Sequence, residues 1–203
     1  MNIPTLSEAE LLLSKAEKRN PTPWVAHSRY VAMAAQKIAE RHPQLDPETA
    51  YILGLLHDIG RQEGWTAMRH IIDGYNFMMD KGYDDAARIC MTHSFFVQKV
   101  ESSAGKWDCT PDEYDFVVNY LSQIDYNLYD KLFQLCDALA LPDGCCLLEK
   151  RFVDVVLRHG FNDFTVDRWR ATFAIKAQFE QEIGCSIYDL LPNVAETTFE
   201  RTK

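Results

Sequence analysis

The sequence predicts an all-α fold, and three observations carry that reading. Apolar residues recur three and four positions apart along most of the chain, the spacing of one helix face. The stretches so patterned are bounded by helix punctuation, with Ser, Thr or Asp at the start and Gly at several ends. No two segments pair in the apolar-polar alternation of neighbouring strands. With 203 residues, 47% hydrophobic and 12% aromatic, the chain can bury one core, so a single-domain helical bundle is expected.

The first helix is expected to open at a capping box, Ser7-Glu8-Ala9-Glu10, and to run to about Arg19, where "NPTP" breaks it. The second spans about Trp24 to Arg41 and sets His27 on one face with Val31, Ala34 and Ile38. Asp46, Pro47 and Glu48 then supply an N-cap, a first-turn proline and a dipole-matched acid. The apolar helix they start, "AYILGLLHD", is expected to run to Gly60, which lets the chain turn sharply away. Helices from about Trp65 to Lys81 and from Asp84 onward carry His70 and His93 among core residues. A second capping box, Thr110 to Glu113, leads into "FVVNYLSQI", and a helix from about Asp130 to Leu141 surrounds Asp137 with Leu, Phe and Cys. "LLEKRFVDVVLRHG" and "VDRWRATFAIKAQFEQEIG" complete the series, each closed by glycine. The expected division is residues 1–22 as an N-terminal helix and linker, 23–145 as the core, and 146–203 as C-terminal helices packing on it within the same domain.

Composition narrows the function classes. Lys plus Arg number 21 against 30 Asp plus Glu, a formal charge of -9, so the surface should repel nucleic-acid phosphates. A small anionic substrate is still compatible, because a bound metal supplies positive charge locally. The first residues lack a basic start before an apolar run, and no apolar run approaches about 18 residues, so a cytoplasmic protein with no membrane partner is expected. Six cysteines show no C-x-x-C pairing and read as reduced, mostly buried small side chains. Oligomeric state is left open, a homodimer included.

The informative residues are ionisable ones in apolar settings. A His-Asp dipeptide is expected about half a time by chance in this composition, so His57-Asp58 means little alone. Its place does mean something: two ionisable residues close an apolar helix, where buried polar groups need partners. His27, His70 and His93 each sit among helical apolar residues, and Asp137 interrupts "LFQLC" and "ALAL". Singly, each histidine reads first as a hydrogen-bonded core residue. Four His and two Asp on five helices are hard to satisfy separately in one small core and easy to satisfy by converging on metal. His42, before Pro43, and His159, before Gly160, read as surface or capping residues.

The order His27, His57-Asp58, His70, His93, Asp137 resembles the HD superfamily of metal-dependent phosphohydrolases, over about Trp24 to Asp143. "HSRYVAMAAQKIA" resembles its opening helix, "GLLHDIG" its central motif, "MRHIIDGYNFMMDKGYDDAARICMTHSF" its two extra-histidine segments and "KLFQLCDALALPDG" its closing aspartate helix. The two intermediate histidines resemble the dinuclear branch, which includes small bacterial dinucleoside polyphosphate hydrolases. The resemblance implies an all-α HD-type bundle whose metal-binding catalytic core is residues 23–145. It implies one ion on His27, His57, Asp58 and Asp137 and a second on His70 and His93, with Asp58 bridging and catalytic. The ions expected are Fe or Mn, with Mg, Zn, Ni and Co as alternatives, and a metal-activated hydroxide would attack a nucleotide or other small phosphate ester or anhydride. Where the related hydrolases are glycine-rich after the first extra histidine and carry threonine after the second, this chain has Ile71-Ile72 and Ser94.

Two basic residues are candidates for the substrate phosphate. Arg61 follows the central motif and could hold a phosphate through its planar fork or be a solvated helix-end cation. Lys131 occupies a position often basic in similar proteins, yet lies about 240° from Asp137 round an ideal helix. The six-ligand set also resembles the diiron oxygenases of the same superfamily, and a nucleotide-sensing module without catalysis is the third alternative.

Overall fold

The computed structural model describes residues 1–199. Eleven α-helices account for most of these residues, as the sequence predicts: α1 (Leu6–Arg19), α2 (Trp24–Ala39), α3 (Pro47–Leu56), α4 (His70–Met79), α5 (Asp84–Thr92), α6 (Pro111–Gln123), α7 (Leu128–Leu139), α8 (Leu148–His159), α9 (Thr165–Ile183), α10 (Ile187–Leu190) and α11 (Val194–Thr198). Two 3-10 turns, Ile59–Glu63 and Val100–Ser102, interrupt the series. The expectation of no strand pair is corrected in one place. Ala140–Leu141 and Gly144–Cys145 form a two-residue antiparallel ladder, β1 and β2, where the chain reverses after α7.

The helix starts show which local signals won. Thr5, not Ser7, caps α1: its hydroxyl accepts from the Glu8 amide at 3.3 Å and Glu8 accepts back from the Thr5 amide at 2.8 Å. Both residues begin a Ser/Thr-x-x-Glu run, and burial of Ala9, Leu13 and Ala16 on one face goes with the helix opening at Leu6. Asp46 caps α3 with Pro47 in the first turn, and Thr110 caps α6 reciprocally with Glu113, both as expected. Asn127 and Asp130 form a capping box that starts α7 slightly earlier than predicted. Gly160 and Gly184 stop α8 and α9 with φ of 79° and 73°.

Three helices build the centre. The apolar faces of α2, α3 and α7 bury Val31, Ile38, Leu53, Leu55, Leu56, Phe133 and Leu135 completely, each contributing roughly 1.5–3 kcal/mol of transfer free energy. Gly54 permits the close approach of α2 to α3, because a Cβ there would collide with the Ala32 backbone. Gly60 is used differently from the turn-former expected. It has no positive φ; it sits against α4, where a side chain would strike the His70 carbonyl and the Gly74 backbone. The turn carrying Asp58 and Arg61 is thereby held directly against the helix carrying His70.

Helix α3 ends at Leu56 and not at Gly60 as predicted, so His57 and Asp58 fall in the break before the 3-10 turn. Helix α4 begins at His70 and not near Trp65. The residues before it form a turn whose Ala67 and Arg69 amides both donate to Asp108, at 2.6 and 2.7 Å. Of the two histidines read as surface, His42 is buried and pairs with Glu182 at 2.7 Å.

Candidate metal centre

The first turns of α2 and α4, the break after α3, the end of α5 and the last turn of α7 bring all six candidate ligands together. His27 Nε2 lies 2.9 Å from Asp137 Oδ1. His57 Nε2 lies 3.8 Å from both Asp58 Oδ2 and Asp137 Oδ1. On the other side of Asp58, Oδ1 stands 3.2 Å from His70 Nε2 and 3.6 Å from His93 Nε2. Two triads with ligand atoms close enough to share an ion result, His27-His57-Asp58 and Asp58-His70-His93. Asp58 belongs to both.

The second ring nitrogens explain the orientation. His57 Nδ1 donates to the Gly54 carbonyl at 2.8 Å, His93 Nδ1 to the Ile89 carbonyl at 3.1 Å and His70 Nδ1 to the Ala67 carbonyl. With the proton on Nδ1, each ring turns the lone pair of Nε2 into the cluster, the arrangement metal-ligating histidines adopt. His70 and His93 then face each other lone pair to lone pair, 3.4 Å apart at Nε2. His57 Nε2 and Asp58 Oδ1 are buried without any hydrogen bond. Buried acceptors gathered with no donor between them are costly alone and are suited to a cation.

Electrostatics keep the set in its ligating form. Burial pushes His57 and His93 down, and burial with the Arg61 charge takes His70 down to about 3. Burial opposes ionisation of Asp58, but the Arg61 guanidinium beside it outweighs burial and holds the carboxyl well below its usual range. Asp137 is likewise held low, the bond from His27 and the Arg151 charge overcoming burial. Neutral imidazoles and ionised carboxylates are the forms a divalent metal takes.

A family model for the HD domain matches residues 24–141. The chain belongs to the HD domain family. Members of that family are mostly metal-dependent hydrolases and bind divalent metals, and the buried His/Asp cluster of this HD domain could hold metal. No curated protein and no solved structure matches the chain.

The two basic candidates separate. Arg61 is on the wall of the cleft, with Nε donating to Asp58 Oδ2 at 2.6 Å and Nη2 to His70 Nε2 at 3.4 Å; it is a partner of the cluster and not a solvated cation. Lys131 does not join it. Its ammonium donates to Gln178 on α9 at 3.1 Å, and it does not line the cleft.

That cleft, about 780 Å³, opens over the cluster. Helices α8 and α9, which carry no catalytic signature in the sequence, line it with Arg151, Arg158, His159, Arg168 and Trp169. Residues 151, 154, 155 and 158 all face the cleft, a three-and-four spacing that was the available sequence signal. Among the described residues, no helix is long and apolar enough to cross a membrane.

Proposed function

We propose that this HD domain is a metal-dependent phosphohydrolase that holds two divalent ions, Fe or Mn, and acts on a small phosphorylated substrate such as a nucleotide. The observation that carries the reading is the pair of buried acceptors without donors, His57 Nε2 and Asp58 Oδ1, beside the facing Nε2 atoms of His70 and His93. His27, His57, Asp58 and Asp137 would hold one ion, and His70 and His93 the other, with Asp58 common to both. Bound there, the pair would acidify a water and polarise a phosphoryl oxygen.

The chain's own groups do the remainder. Asp58 supplies negative charge to both positions, and the backbone carbonyls of Gly54, Ala67 and Ile89 fix the three rings that surround it. Arg61, beside Asp58 on the cleft wall, presents a planar fork able to take a phosphoryl oxygen as charge builds on it. The substrate enters from the cleft, which α8 and α9 line with arginines.

The test is phosphate release from a panel of nucleotides, dinucleoside polyphosphates and phosphodiesters, with Mn or Fe supplied and oxygen excluded. Activity without oxygen is expected. Asp58→Ala should lower it by at least about a thousandfold, the scale of losing a group that organises the reacting charges. Unchanged activity in Asp58→Ala would remove the catalytic assignment, and oxygen consumption without phosphate release would replace it with oxygenase chemistry.

A further inference from the structure

Arg168 is the only buried Lys or Arg among the described residues, 6% exposed. Its Nη1 donates to the Ser102 carbonyl and to Asn162 Oδ1 at 2.9 Å, and its Nη2 to Thr165 Oγ1 at 3.2 Å. Every one of these acceptors is neutral, and no carboxylate among the described residues pairs with it. A buried cation with no opposite charge is an unfavourable arrangement that an anion would relieve, and Arg168 lines the cleft.

Two further guanidinium groups share that wall. Arg151 and Arg158 are seven residues apart on α8, two turns along one face, and both line the cleft. Both pair with Asp154 Oδ2, at 3.8 and 3.1 Å, and Arg151 also acts through its charge on Asp137. The wall therefore sets three arginines against one aspartate, on a chain whose formal charge is -9. No lysine lines the cleft, so its cations are all of the kind that grips phosphoryl oxygens in pairs. Beside them Phe152 stacks on Trp169, with centroids 5.4 Å apart and planes within 10°. All five residues lie beyond residue 141, outside the stretch that matches the family.

We infer that the α8–α9 wall, through Arg151, Arg158 and Arg168, is an anion subsite for a second phosphoryl group of the ligand, in the same cleft as the His/Asp cluster. Calling that ligand the substrate rests on the phosphohydrolase reading; the subsite itself needs only the arginines. Three forks around one carboxylate suit the charge of a phosphoryl group better than that of a single carboxylate, and a cleft of about 780 Å³ has room for both ends of such a molecule. Compounds with two or more phosphoryl groups are therefore preferred to those with one.

The experiment compares inorganic tripolyphosphate with orthophosphate on the full chain carrying its metals. Binding is followed by titration calorimetry, and the KM for p-nitrophenyl phosphate is measured in parallel. Arg158→Ala/Arg168→Gln should weaken tripolyphosphate binding tenfold or more, while orthophosphate affinity and the KM for p-nitrophenyl phosphate change less than twofold. Arg158→Ala alone, at a half-exposed position, should give about a threefold loss with an unchanged melting temperature. Arg168→Gln, which keeps a donor for the Ser102 carbonyl, should act in the same direction. Wild-type tripolyphosphate affinity in the folded double variant would overturn the subsite, as would equal losses for both anions. If no phosphate ester is hydrolysed but the calorimetric difference stands, the phosphohydrolase reading fails and the subsite survives.

Discussion

Two buried ionic clusters meet at the end of α5, and they are built on opposite principles. Asp130, completely buried on α7, has every oxygen served: Oδ1 accepts from Thr92 at 2.8 Å and from Arg88 Nε at 3.1 Å, and Oδ2 accepts from Arg88 Nη2 at 2.6 Å and from the Asn127 amide at 2.8 Å. Next to Thr92 in the chain, His93 points into a cluster where His57 Nε2 and Asp58 Oδ1 have no hydrogen bond at all. The first is complete as a protein structure. The second is incomplete without a cation. Burial and charge do not separate a structural carboxylate from a ligand; the count of satisfied lone pairs does.

Substitutions can break that contrast. Asp130→Ala should be the most destabilising change, by about 3 kcal/mol in urea unfolding, the lower end of the range for removing one partner of a buried pair, since Arg88 is a quarter exposed. The folded variant should keep its full metal content; loss of metal without loss of stability would mean that the two clusters are one. Gly60→Ala should cost about 1–3 kcal/mol by overpacking and should also weaken metal binding, because the added methyl pushes α4 and His70 away from Asp58. Destabilisation with metal affinity untouched would show that this contact serves the fold alone. The smallest effect belongs to Lys131→Ala, expected within about 0.5 kcal/mol of the parent and without influence on activity, since its bond is to Gln178. A large drop in kcat there would contradict its exclusion from the cleft.

Much of the ligand set is legible in the sequence because histidine and aspartate are conspicuous on apolar helix faces. His27, His57, Asp58, His70, His93 and Asp137 could each be picked out that way, and the structure brings them together. What was hidden depends on distant residues. The start of α4 is set by Asp108, which takes two amides from a turn some 40 residues earlier, and no local propensity encodes that. The choice of Thr5 over Ser7 as a cap lay between two equally good capping runs. His42 looked exposed before a proline but is buried against Glu182 from α9. The arginines of α8 and α9 carried no signature in the sequence, because arginine on an amphipathic helix is ordinary; the fold lays both helices along the cleft.

The central claim is that the six residues form two ion positions joined by Asp58, and metal analysis of the purified chain tests it most directly. The account predicts about two divalent ions per wild-type chain, one in His70→Ala/His93→Ala, and none held tightly in Asp58→Ala, with each variant checked for folding by circular dichroism. Wild-type protein that takes up no Mn, Fe or Zn above background, or an Asp58→Ala variant that retains both ions, would contradict it.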